Sequence, residues 1–229
     1  MRYRDKIAPL ALCFALCACG AQTKNQVATS APVNWTAEAG KRVVLVDPDV
    51  ELSELTAGGV TEARADWTQT GKTFIKTDIA STLQAKGVAI AAADNVSDRH
   101  EAQLIKLHGA LGQSILLNSV VPFPTKKNNF DWTLGPGVAA FRDHYHGDYA
   151  LFVFVRDSYS SAGRQAVIVA AAILGVGVQG GQQIGFASLV DLRTGRVVWF
   201  NRLANAYGSL KEEKPAAETV KHLLEGLPL

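Results

Sequence analysis

The chain has 229 residues, of which 48% are hydrophobic and 19% charged, with 23 basic and 21 acidic side chains. That composition excludes wholesale disorder and leaves room for one large domain or two small ones. With a basic excess of only two and no basic stripe, a nucleic-acid partner is not expected.

The amino terminus reads MRYRDKIAPLALCFALCACGAQ, in which Arg2, Arg4 and Lys6 precede an apolar run from Ile7 to Ala18. A charged start followed by such a run is the pattern of a secretory signal peptide, and the run is too short to span a membrane as a helix. It ends in Leu16-Cys17-Ala18-Cys19, which resembles the lipobox of bacterial lipoproteins. The resemblance implies cleavage before Cys19 and lipid attachment to it, with residues 1–18 as the signal peptide. Cys13 and Cys17 fit less well, because Leu12 and Leu16 stand where a lipobox has a small side chain. Gly20 follows Cys19 instead of Asp, which implies by similarity to Gram-negative lipoproteins an outer-membrane destination. Cleavage removes three basic residues and one acidic residue, leaving 20 of each, and leaves Cys19 as the only cysteine. No disulfide, catalytic thiol or cysteine-based metal site is then expected.

Residues 19–41 are rich in small and polar side chains without periodicity, and they read as the lipidated Cys19 and a flexible tether. The folded domain is expected over 42–229. RVVLVD, ended by Pro48, is a first strand. TFIKTDIASTLQAKG places Phe74, Ile75, Ile79 and Leu83 near helical spacing, with Gly87 as a stop. VAIAAAD reads as a second strand. SDRHEAQLIKLHGALGQSILL reads as a second helix, with Leu104, Leu107, Leu111 and Ile115 on one face and His108 at its edge, as a packed residue and not a ligand. TGKT at 70–73 lacks the glycine of a phosphate loop, because Asp66 stands five residues before Gly71. GVGVQG at 175–180 matches GxGxxG, yet a strand and not a helix is expected after it.

DWTLGPGVAAFRDHYHGDY has Pro136 for a first helical turn, Val138, Phe141 and Tyr145 at helical spacing, and Gly147 at the stop. His144, His146 and Asp148 form an HxHxD string of the kind that holds zinc in some hydrolases. Two residues apart on a helix lie about 200° around the axis, so the two imidazoles cannot share an ion. Only His222 follows as a further histidine. No metal, no cofactor and no catalytic residue is therefore expected, and there is no GxSxG elbow.

YALFVFV is apolar on both alternating faces and is expected as a central strand. RDSYSSAGR follows as a polar loop, and IGFASLVDLRTGRVVWF as a β-hairpin turning at Asp191 to Gly195. A last helix, about Pro215 to Glu225, has Val220, Leu223 and Leu224 to bury. The fold expected is α/β: a single domain with a mixed central sheet, flanking helices and a C-terminal β-hairpin. GDYALFVFVRDSYSSAGR, followed by ASLVDLRTGRVVWFNRL, resembles bacterial lipoproteins of the curli-secretion, penicillin-binding-protein-activator and TolB amino-terminal superfamily, over roughly Arg42 to Glu225. The resemblance implies an α/β sandwich that binds partners and has no catalytic site.

AVIVAAAILGVGV, between the central strand and the hairpin, is more apolar than a solvent-facing connection should be. It is expected as a packed strand or short helix covering the sheet. Its other reading is a membrane-touching or oligomer-forming arm, because curli-type relatives build barrels from inserted hairpins. Together these readings give a non-catalytic envelope protein, lipid-anchored in the outer membrane and facing the periplasm. It is expected to be an accessory of an assembly or secretion system with an envelope protein partner; an export-pore homo-oligomer and an envelope hydrolase are the alternatives. Partner contact is assigned to the loop Arg156 to Arg164, with Tyr159 as its aromatic anchor and Arg164 as its charged one.

Overall fold

A computed structural model describes residues 22–27, 33, 40–94, 96–127, 129–205 and 209–229. Strand β1 is Gln22–Val27, β2 Arg42–Val46, β3 Asp49–Leu55 and β4 Thr61–Ala63; helix α1 is Ala65–Ala85, β5 Ala89–Ala93 and α2 Arg99–Val120. A 3₁₀ turn at Pro136–Val138 leads into α3, Ala139–Tyr145. Then come β6 Tyr149–Ser160, α4 Ala162–Ile173, β7 Gln183–Asp191, β8 Val197–Asn205 and α5 Glu213–Leu223.

The sheet runs β1-β8-β7-β6-β2-β5, and β3 lies beside β6 with β4 outside it. β6 is long enough to serve two parallel neighbours: β2 pairs with its first residues, Tyr149 to Leu151, and β3 with Phe154 to Ser160. Pro48 separates the two, and a residue without an N–H interrupts the ladder there. β6, β7, β8 and β1 form an antiparallel half on the other side.

Helices cover both faces of the sheet. Leu151, Val153 and Val155 of β6 pack on one side with Ile75, Ile79 and Leu83 of α1 and Val220 and Leu223 of α5. Ala150, Phe152 and Phe154 pack on the other with Leu104 and Ile115 of α2 and Phe141 of α3. Burial of each large side chain contributes about 1.5–3 kcal/mol, so a central strand with two apolar faces is held from both sides. α2 starts where the Asp98 carboxylate accepts from the N–H groups of His100 and Glu101. At the β7–β8 turn, Gly195 has φ +74°, and a Cβ there would meet the Gly135 carbonyl oxygen at 2.2 Å.

The expected fold class is the observed one, with several corrections. Residues 22–27, assigned to the tether, form β1 on the outer edge of β8. β3 and β4 are additional to the expected strands, and α1 begins at Ala65, well before the Thr73 start expected from apolar spacing. The buried face of α2 holds Glu101, Leu104, His108, Gly112 and Ile115, while Leu107 is exposed. RDSYSSAGR is not a loop: β6 continues to Ser160 and α4 begins two residues later.

Candidate interaction surface

The HxHxD string ends a helix, as expected, and its three members separate. Nδ1 of His144 lies 2.8 Å from Oε1 of Glu101, a buried carboxylate whose Oε2 accepts from the Tyr145 hydroxyl at 3.1 Å. These bonds tie α3 to α2. Burial, and the Glu101 charge after it, push the Tyr145 hydroxyl up to about 12. His146 is exposed and takes the left-handed position, φ +53°, at the helix end. Gly147 is needed for close approach, because a Cβ there would stand 2.3 Å from Cγ2 of Val44. Asp148 accepts from Lys41 Nζ at 3.2 Å and from the Arg42 N–H at 3.0 Å.

His108 is a packed residue. Its Nε2 lies 2.8 Å from the Ser188 hydroxyl, and each residue is 1% exposed. The ring stacks on Phe152, with centroids 4.9 Å apart. Burial drives its pKa down to about 3, against a smaller upward pull from Asp49. A serine–histidine pair at hydrogen-bond distance has the geometry of a nucleophile and its base, but here neither side chain reaches solvent and the contact joins α2 to β7.

A polar groove of about 530 Å³ opens past the carboxyl end of β2, along α1, with Asp47, Lys72, Thr73 and Lys76 in its wall. Open α/β sheets hold ligands in such places. Its cations are paired, Lys72 to Asp47 and Lys76 to Asp94, each at 2.6 Å. TGKT lies inside α1, where Gly71 is pressed against Leu210, so its N–H groups cannot cradle a phosphate.

The assignment of Tyr159 and Arg164 as anchors requires a loop that exposes them, and that premise is corrected. Tyr159 sits in β6; its hydroxyl donates to Asp157 and accepts from the Leu210 N–H at 2.7 Å. Its ring takes the edge of Trp67 and the ammonium of Lys211. Burial raises the pKa of both Asp157 and Tyr159. Arg164 is half-buried: Nε and Nη2 donate to the Gln179 carbonyl at 3.0 and 2.7 Å, and Nη1 to that of Ala57 at 3.5 Å. Both side chains thus serve internal contacts. Cys19 lies outside the described residues.

The unusual surface is the one that follows Arg164. The Ser161 hydroxyl caps α4 by accepting from the Arg164 N–H at 3.1 Å. Gly175, φ +73°, ends it: its N–H bonds the Ala172 carbonyl at 3.0 Å and the Val176 N–H bonds that of Ala171 at 2.9 Å, a Schellman stop. Two caps and an alanine-rich interior define this helix locally, yet none of its residues is buried. Val169 is 61% exposed, Ile173 80% and Leu174 79%. No charged side chain occurs between Arg164 and Asp191. The expected covering of the sheet is therefore corrected: the segment is a helix, and it leaves the sheet. Apolar composition alone could not reveal this, because a helix packed on the sheet and a helix projecting from it have the same sequence signature.

No protein-family model matches the sequence, and no curated protein matches it. Among solved structures, the PelC dodecamer from Paraburkholderia phytofirmans is similar at 12% identity, covering 90% of this chain and 95% of that one, with a TM-score of 0.44. A PelC dodecamer from the same organism that carries a single substitution is similar at 15% identity, 92% and 98% coverage and a TM-score of 0.41. Lipoprotein GNA1162 from Neisseria meningitidis is similar at 12% identity, 81% and 98% coverage and a TM-score of 0.35. Likenesses this remote concern the path of the chain and leave the protein's role to its own residues.

Proposed function

We propose that this chain is a lipid-anchored cell-envelope protein that acts by binding, as an accessory of an envelope assembly or secretion system, and that it carries out no catalysis. The observation that carries this reading is α4. A domain with a complete core on both faces of its sheet presents a capped helix, uncharged beyond Arg164, that buries none of its own apolar side chains. Exposed apolar surface of this kind lowers solubility and marks a contact with a partner or a membrane. The lipobox-like end of the signal peptide at Cys19 supports location in the outer membrane, facing the periplasm. The resemblance of the β6 and hairpin segments to the curli-secretion superfamily supports an accessory role.

Mass analysis of membrane-extracted native complexes tests the reading, with wild type compared against Cys19→Ala. The expected result is a diacylglycerol mass on wild type, a co-purifying envelope protein, and release of the variant from membranes. An unlipidated, soluble monomer overturns it. A second reading, a subunit of an oligomeric export pore, is favoured by further apolar side chains exposed on α2, Leu107, Leu117 and Val120. A ring of this chain alone in the same experiment would select it.

A further inference from the structure

We infer that α4 and the segment that follows it to Val178 rest on the same bilayer surface in which Cys19 is anchored. The inference rests on the proposed lipid attachment, and the register of the sheet supplies the geometry. Gln22 pairs with Ala204, Ala204 with Ile184 and Ile184 with Arg156, so these four residues form one row across β1, β8, β7 and β6. β1 begins at that row. β6 passes it by only four residues before ending at Ser160, and α4 starts at Ala162. The chain from Cys19 therefore enters the sheet at the end from which α4 leaves it.

The link is short. Only Gly20 and Ala21 separate Cys19 from Gln22. At about 3.3–3.6 Å per residue those three steps reach about 10 Å, so the anchor cannot lie far from this end of the sheet. Across the row, β1 and β6 are three strand spacings apart, about 14 Å. Both the lipid and the base of α4 thus belong to one small area of the molecule.

The chemistry of that area suits lipid. α4 and the following residues expose Val167, Val169, Ile173, Leu174 and Val176, and Ile184, in the Gln22 row, is also exposed. Arg164, at the base, has its guanidinium engaged by the Gln179 and Ala57 carbonyls, so no cation projects along the helix. The 12 residues of α4 span about 18 Å, less than the ~30 Å hydrocarbon core, so the contact lies along one leaflet and does not cross it. A second copy of this chain would also cover apolar surface, but the short link brings the bilayer to this end of every copy.

The test uses the full mature, lipidated chain in phosphatidylethanolamine–phosphatidylglycerol vesicles. Val169→Cys, Ile173→Cys and, at the opposite end of the sheet, Arg193→Cys each supply a single free thiol for an environment-sensitive fluorophore. Because α4 buries none of its residues, the first two variants retain the fold, which circular dichroism verifies. Spin-labelled acyl chains are expected to quench at 169 and 173 several-fold more than at 193. Equal quenching at the three positions, on protein whose mass carries the lipid, overturns the bilayer contact while leaving the anchor intact. A blue-shifted but unquenched label at 169 and 173 overturns it in favour of a protein neighbour. A mass without lipid overturns the anchor, and with it the placement.

Discussion

Replacing His108 by Gln tests the buried histidine through the pH dependence of folding. In the folded chain the imidazole takes up a proton only near pH 3, because burial opposes the charge, whereas the ordinary value of 6.5 applies after unfolding. Between those values the unfolded chain holds the extra proton. Stability from this group is therefore complete above pH 6.5 and is lost as pH falls toward 3. The slope is about 1.4 kcal/mol per pH unit, which integrates to about 2 kcal/mol between about pH 7 and pH 5. The surroundings offer the cation little: Phe152 and Phe186 contact the ring, Ser188 is its hydrogen-bond partner, and Asp49 pulls weakly in the opposite direction. Urea unfolding at about pH 7, 6 and 5, for wild type and His108→Gln, isolates this contribution. Asp78 and Asp157, whose pKa values burial raises, are common to both proteins and cancel. Equal loss of stability in the two proteins across this range would refute the reasoning.

Gly112→Ala is expected to cost about 1–3 kcal/mol, since its Cβ would stand 2.0 Å from Cε2 of Phe186; urea titration reads the loss. Gly109→Ala, with Phe154 carbons at 3.4 Å, should be tolerated much better, and similar losses at the two sites would contradict the packing described. Ile79→Ala, at a fully buried position between α1 and the sheet, should cost about 2–5 kcal/mol by the same titration. Ile173→Asp should leave the unfolding free energy within about 0.5 kcal/mol of wild type, because nothing packs over that side chain, while weakening vesicle contact in the quenching assay.

Much of the fold was legible in residue order because local rules settled it. β6 showed two apolar faces, so it had to be central; the Asp191 to Gly195 turn joined two apolar strands; and the spacing of Leu104, Leu111 and Ile115 gave a helix at α2. The two-residue spacing of His144 and His146, read on a helix, already separated them. Other features depended on neighbours distant in sequence. β3 and β4 carry charges at Asp49, Glu51, Glu54 and Glu62 and look unlike core strands, yet β6 runs far enough to pair with β3. β1 is polar from Gln22 to Gln26 and becomes a strand by adding to the free edge of β8. Tyr159 and Arg164 looked like exposed anchors until the extension of β6 and the return of Gln179 gave them internal partners.

The segment after Arg164 separates the two kinds of information most sharply. Residue order by itself determined that it is apolar and uncharged but left it as a packed strand or a short helix after a polar loop; the Ser161 cap and the Gly175 stop make it a helix in the structure. Only the tertiary structure decided that this helix stays outside the core. Among the described residues both faces of the sheet are already covered by α1 with α5 and by α2 with α3, and both core clusters close without a side chain of α4.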